Sequence, residues 1–339
     1  MSRLLWSCWV VGAILVVTAG PAAADPAGPT EYLTTIESVE PPTASIEVRM
    51  IGGDSFFQVT QLQPVLIEVV GYEGEPYLRI RADGIVEENR LSATTYLNEE
   101  RYGAGDIVPD FVDNSADPDW AQVGSDGRYA WHDHRSHWMN PARPPGAEPG
   151  DTILEAVVPL VVDGTEVRVT VASTLQPSPS PVPWIAGGLF GLVGVGLMFF
   201  LRSPIAGFGA APWVLVAGIA EVFSVPPETG PAITVWLAPV LAFSALVGAA
   251  LARWRSWNPL LEIGLVMVAG VQLFVWGVLG SSALWNPILP TSLSWPLHRA
   301  IVSLSIVVGA GMTAVAARNL WVMLRTQPAI GPTASEADG

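Results

Sequence analysis

The chain has 339 residues, half of them hydrophobic, a formal net charge of −15 and one cysteine, Cys8. A protein this acidic repels nucleic acid, and a lone cysteine excludes an intrachain disulfide framework or a thiolate metal cluster. A mean hydropathy of +0.41 fits membrane spans diluted by a soluble part.

Residues 1–24 read as a signal peptide. Arg3 supplies the charged start, Leu4 to Val17 the apolar core, and Ala22-Ala23-Ala24 before Asp25 the cleavage rule. An uncleaved anchor helix is the alternative. Cleavage would remove Cys8, leaving no thiol for lipidation, metal binding or catalysis. The chain has no lysine, which we attribute to a GC-rich genome.

Residues 25–183 form a polar block with 26 Asp and Glu against 9 Arg. This suits a soluble domain, with weak long-range attraction for cations. Strand signals recur. In Ser45–Ile51, Ile46, Val48 and Met50 alternate with Glu47 and Arg49. Val65–Val70 is apolar and β-branched, and Leu78 and Ile80 alternate with Arg79 and Arg81. Thr152–Val162 and Thr165–Ser173 flank Asp163-Gly164, a hairpin turn signal. These features predict an antiparallel β-sandwich over 25–176, immunoglobulin-like, with ~7 strands. Gly103–Asp126 and Pro141–Gly150 read as long loops.

Residues 177–183 are a stiff proline-rich spacer. Residues 184–325 are expected to form a five-helix transmembrane bundle, with spans near 184–201, 205–225, 232–252, 260–280 and 298–322. The fold class is therefore α+β in separate domains. Arg202, Arg253, Arg255, Arg318 and Arg325 fall on one side of the bundle, and the opposite loops have no arginine. The positive-inside rule then places the C-terminus in the cytoplasm of a bacterial cell and the β-domain outside. Residues 326–339 read as a disordered cytoplasmic tail.

Few ionisable residues enter the spans. Glu262, in a first helical turn, suits the positive dipole end. Glu221 and Arg299 stand at matched depth and are the candidate structural ion pair, with His298 beside them. Spans one and three carry no polar path, which argues against a transporter. Gly187 and Gly191 give a small-xxx-small pair for helix packing or dimerisation.

The chemistry-bearing segment is Tyr129–Met139, which holds His132, His134 and His137. On an extended strand, residues 132 and 134 share a face. His137 joins them if the chain bends after Arg135. Three imidazoles without a thiolate suit copper or zinc, and Met139 as a fourth ligand favours copper. The alternative is a hydrogen-bonded network of His132, Asp133, His134 and Arg135 under Tyr129, Trp131 and Trp138. Ligand or proton sensing is a third reading. No nucleophile–base pair, phosphate loop or carboxylate pair is defined by spacing, so an enzyme is not expected.

Gly71-Tyr72-Glu73-Gly74-Glu75-Pro76-Tyr77-Leu78-Arg79, together with Trp131–Met139, resembles uncharacterised actinobacterial multi-pass membrane proteins with a secreted β-domain. The resemblance implies this architecture over most of the chain and implies no activity. The organisation is also similar to extracytoplasmic copper-handling proteins, as a fold-level analogy. The expected function is a membrane-anchored extracytoplasmic binding or accessory protein for copper. The alternative is an envelope interaction or assembly protein with a structural His/Trp segment. The expected partners are the lipid bilayer and another envelope protein, not nucleic acid.

Overall fold

The computed structural model describes residues 27–99, 101–102, 108–201, 203–227 and 233–326. The expected leader with Cys8, the loop arginine Arg202 and the tail from Gln327 onward lie outside these residues.

The N-terminal half is built from β1 (Tyr32–Glu40), β2 (Ile46–Ile51), β3 (Phe56–Gln61), β4 (Ile67–Val70), β5 (Pro76–Ile80), β6 (Val86–Asn89), a short helix α1 (Ala93–Leu97), β7 (Trp120–Gly124), β8 (Arg128–Trp131), β9 (Thr152–Val162) and β10 (Thr165–Leu175). They form a seven-stranded sheet in the order β1-β10-β9-β4-β5-β6-β7 and a three-stranded sheet β2-β3-β8. Every strand pair is antiparallel.

The β9–β10 hairpin shows why these residues become strands. Asp163 and Gly164 both take positive φ, 49° and 76°, as a two-residue hairpin turn demands. The register that follows buries Val158, Leu160 and Val162 on one arm and Val167, Val169 and Val171 on the other, while Glu166 and Arg168 face out. Burying each such side chain contributes about 1.5–3 kcal/mol. Phe57, Val59 and Trp131 of the small sheet pack onto Ile67, Val69, Leu78 and Ile80 of the large one, so the two sheets share one core.

Two expectations change. Ten strands replace the ~7 expected, and β7 lies inside the stretch read as a loop from Gly103 to Asp126. The second has a clear cause: β7 is an edge strand with no fully buried position, so it has no apolar alternation to detect. Trp120 earns its place by covering the Arg79 guanidinium at 4.3 Å.

The C-terminal half holds α2 (Val182–Leu201), α3 (Ile205–Val222), α4 (Ile233–Trp254), α5 (Pro259–Leu279) and α6 (Trp295–Thr326). Four of these are long and apolar enough to cross a membrane, and α3 contributes a shorter apolar helix. Their outward faces are apolar, with Phe190, Phe200 and Val193 strongly exposed. Such a belt belongs in hydrocarbon and not in water. Helix α6 packs against α2, α3 and α5. Gly187 and Gly191 seat α2 on α6: a Cβ at Gly191 would lie 2.8 Å from Val307 Cβ, and one at Gly187 would strike the Ala300 carbonyl. The small-residue pair thus serves packing within the chain.

The two halves meet in a built joint. Thr30 and Ile288 form an isolated antiparallel bridge, with Ile288 in the connection from α5 to α6. The ends of α3 and α5 and the starts of α4 and α6 therefore face the sheets.

Candidate functional site

Strand β8 ends at Trp131, and the chain then turns. Ser136 N–H and Oγ–H both donate to the Asp133 carbonyl, at 2.8 and 2.7 Å. The extended geometry that would have put His132 and His134 on one face is therefore absent. His132 is fully buried, stacked on Phe56 with ring centroids 4.3 Å apart. Its Nδ1 lies 2.6 Å from the Ser55 carbonyl, so Nδ1 carries the hydrogen. His134 stacks on Tyr72 at 5.7 Å. His137 meets His134 edge-on at 5.6 Å and Tyr102 edge-on at 6.2 Å. Met139 follows half-buried in the next loop.

The structure thus brings His134 and His137 together, while His132 serves Ser55 and Phe56. Among the described residues, no group of three His, Cys, Asp or Glu is placed to hold a metal ion.

Asp133 is the electrostatic centre of the segment. Arg135 grips it bidentately, Nε to Oδ1 at 2.8 Å and Nη2 to Oδ2 at 2.7 Å, and Trp131 Nε1–H donates to Oδ2 at 3.0 Å. Burial works to raise this carboxyl, yet the Arg135 charge and these hydrogen bonds hold it below its usual range. Burial is also the main effect on His137. With the Arg101 charge and the neighbouring imidazoles it pushes that ring down to about 3, against a contact to the Trp138 carbonyl that favours the cation. His137 is therefore neutral at physiological pH, and its Nε2 is buried without a hydrogen-bond partner.

Tyr72 ties the two conspicuous sequence segments together. Its hydroxyl accepts from His134 N–H at 2.8 Å and donates to Asn98 Oδ1, and the Arg135 guanidinium lies 4.9 Å over its ring. The turn that carries Tyr72 is fixed by Glu75. This carboxylate accepts from Ser92 Oγ–H and Thr94 Oγ1–H, each at 2.7 Å, and from Glu73 N–H at 2.9 Å. It lies against Gly71, where any Cβ would collide with it. Burial opposes its ionisation, but these donors win and hold the carboxyl low.

A second buried pair, Arg101 with Asp54, is not signalled by sequence. Arg101 Nη2 donates to Asp54 Oδ1, and also to Thr30 Oγ1 at 3.2 Å. Thr30 is the residue bridged to Ile288. Thr34 Oγ1–H donates to the Ser136 carbonyl at 2.8 Å, and Thr34 N–H to the Gly53 carbonyl at 3.1 Å. The histidine segment is therefore connected through Ser55, Asp54, Arg101 and Thr34 to the joint with the helices. One signal for this joint was available: Pro287-Ile288-Leu289-Pro290 is an apolar insert in a connecting loop, which needs a covering surface.

At the bundle end, the expected Glu221–Arg299 pair is replaced. Glu221 Oε1 lies 2.9 Å from His298 Nε2. Arg299 instead donates to the carbonyls of Ala283, Asn286 and Pro287, at 2.8–2.9 Å. Those carbonyls close the turn after α5, which includes a 3₁₀ segment at Ser281–Leu284, and would otherwise be unsatisfied. Glu262 is paired with Arg253 at 3.4 Å in the first turn of α5.

Comparison with protein families, with curated proteins and with solved structures returned no match.

Proposed function

We propose that this is a membrane-anchored accessory protein that holds an extracytoplasmic β-sandwich on a five-span bundle for interaction with another envelope component. In this reading the His/Trp segment is part of the mount. The observation that carries it is the division of labour among the three imidazoles: His132 holds Ser55, His134 packs on Tyr72, and His137 is buried against Tyr102. Only His134 and His137 meet, and among the described residues no third ligand joins them, which favours a bracing role.

The orientation rests on the arginines. Arg253, Arg255, Arg318 and Arg325 lie at the bundle end away from the sheets, which favours a cytoplasmic location for that end. The 18 residues of α3 give a helix of about 27 Å, which supports counting it as a span. The seven-plus-three division of strands departs from the near-equal sheets of an immunoglobulin domain, so the reading keeps the sandwich and leaves that comparison aside.

The His134–His137 contact at 5.6 Å favours a second reading, a copper or zinc site completed by His132 and Met139 after rearrangement. Calorimetry on the full chain in nanodiscs, stripped with chelator and titrated with Cu(II) and Zn(II), separates the two. The mount predicts no stoichiometric binding tighter than a surface histidine pair. A one-to-one site lost in both His134→Ala and His137→Ala would overturn it.

A further inference from the structure

Where the sheets meet the bundle there is a cavity of about 370 Å³, within the roughly 300–1,000 Å³ range of small-molecule sites. The ends of α3, α4, α5 and α6 make its walls through Val222, Val235, Leu279 and His298, Leu289 adds the α5–α6 connection, and Ala27 and Pro29 form a rim from the other half of the chain. It is mostly apolar, with Ser282 and Thr291 on its wall and one ionisable corner. That corner is the Glu221–His298 pair, beside Trp276, whose ring lies 6.0 Å from the imidazole. His298 is 3% exposed and its Nδ1 has no hydrogen-bond partner.

Two features select the occupant. Leu279 lines the cavity and is also 60% exposed, continuous with exposed Val275 and Val278 on α5. The cavity therefore opens onto the apolar belt, and a ligand enters from hydrocarbon. Arg299, next in sequence to His298, does not line the cavity and has its Nε and Nη2 donors engaged by three carbonyls. Among the described lining residues there is no arginine to receive an anionic head group, which would meet the Glu221 carboxyl. A hydroxyl can donate to that carboxyl and remain uncharged.

We propose that this cavity binds a neutral single-chain lipid, its hydroxyl head hydrogen-bonded at Glu221–His298 and its tail running out past Leu279. The site rests on the bundle lying in a bilayer, as proposed above, and goes beyond the mounting role.

The test uses the full chain in nanodiscs, with co-flotation checked first so that failure to embed is scored separately. The probes are 2-bromohexadecan-1-ol and 2-bromohexadecanoate, which share a tail and differ in head, with bromine next to the head as a contact quencher of Trp276, the ring beside the Glu221–His298 corner. We expect saturable quenching by the alcohol, with at least tenfold weaker quenching by the carboxylate. A Trp276→Phe substitution should remove the saturable component, and Glu221→Gln should narrow the preference between the probes. Equal, non-saturable quenching by both probes in the unaltered chain overturns the proposal without recourse to any variant. So does saturable quenching that survives in a folded Trp276→Phe protein.

Discussion

Thr30 and Ile288 exchange both backbone hydrogen bonds, at 3.1 Å in each direction, although they lie in opposite halves of the chain. Both side chains close on Gly53: a Cβ there would stand 2.6 Å from Ile288 Cγ2 and 3.0 Å from Thr30 Cγ2. Gly53 also has φ +85°, a conformation that favours glycine. Residues paired in this way sit about 5.5 Å apart at Cα, within disulfide reach. A Thr30→Cys/Ile288→Cys chain should form an internal crosslink on mild oxidation, read as a mobility shift reversed by reductant. No crosslink in a folded, embedded protein would rule out the joint.

The same joint predicts the cost of altering Gly53. Gly53→Val introduces both the backbone strain and the collision with Ile288, and should lower stability by about 2–4 kcal/mol. Limited proteolysis of the connection between α5 and α6 should accelerate. Unchanged protection of that loop would contradict the arrangement.

His132→Ala removes a fully buried ring and leaves the Ser55 carbonyl without its donor. A loss of about 2–4 kcal/mol is expected, against under about 1 kcal/mol for the half-buried His134 in His134→Ala. Thermal unfolding in detergent ranks the two. An equal ranking would mean the rings are interchangeable, as ligands of one ion would be.

The buried Asp133–Arg135 pair makes a charge-specific prediction. Arg135→Ala strands a carboxylate inside the domain and should cost about 3–5 kcal/mol at neutral pH. In the unaltered chain the Asp133 carboxyl is held low, so its contribution is present above the ordinary carboxylate range and lost as pH falls through the folded value. In Arg135→Ala burial is opposed only by the Trp131 Nε1–H and the residue-135 backbone N–H, so the carboxyl takes up a proton more readily and the deficit should shrink on acidification.

His137 makes the domain acid-sensitive before any carboxylate does. Its folded value near 3 lies below the ordinary 6.5, so the unfolded chain takes up the proton first. Stability is complete above about pH 6.5 and falls on acidification at up to about 1.4 kcal/mol per pH unit until the folded value is reached. Between pH 7 and 5 the loss should be about 2 kcal/mol. His137→Phe should flatten that slope, and an unchanged slope would remove His137 as its source.

Much of the architecture is readable wherever burial is periodic. Asp163-Gly164 announces its hairpin, and the apolar runs locate the helices to within a few residues. What is not readable depends on partners distant in sequence. β7 has a backbone neighbour but no buried face, so its residues show no pattern. The histidine spacing indicates density and not direction: the turn at Asp133 sends neighbouring rings to Phe56 and Tyr72. Glu221 and Arg299 are correctly placed at one level of the bundle. The choice of His298 over Arg299 follows from the three carbonyls that claim the guanidinium, and loop carbonyls leave no trace in composition.

Helix α6 has a consequence for communication. Its 32 residues extend about 48 Å, well beyond a ~30 Å hydrocarbon layer, and its one proline, Pro296, sits in the first turn, where it does not break the helix. The first turn is fastened by Arg299 to the loop bearing Ile288, and the last carries Arg325 against Trp321 at 4.1 Å. A helix shortens little under load, so a push on the sandwich would reach the opposite face as motion of one rigid rod, and a spin label near Arg325 would report it.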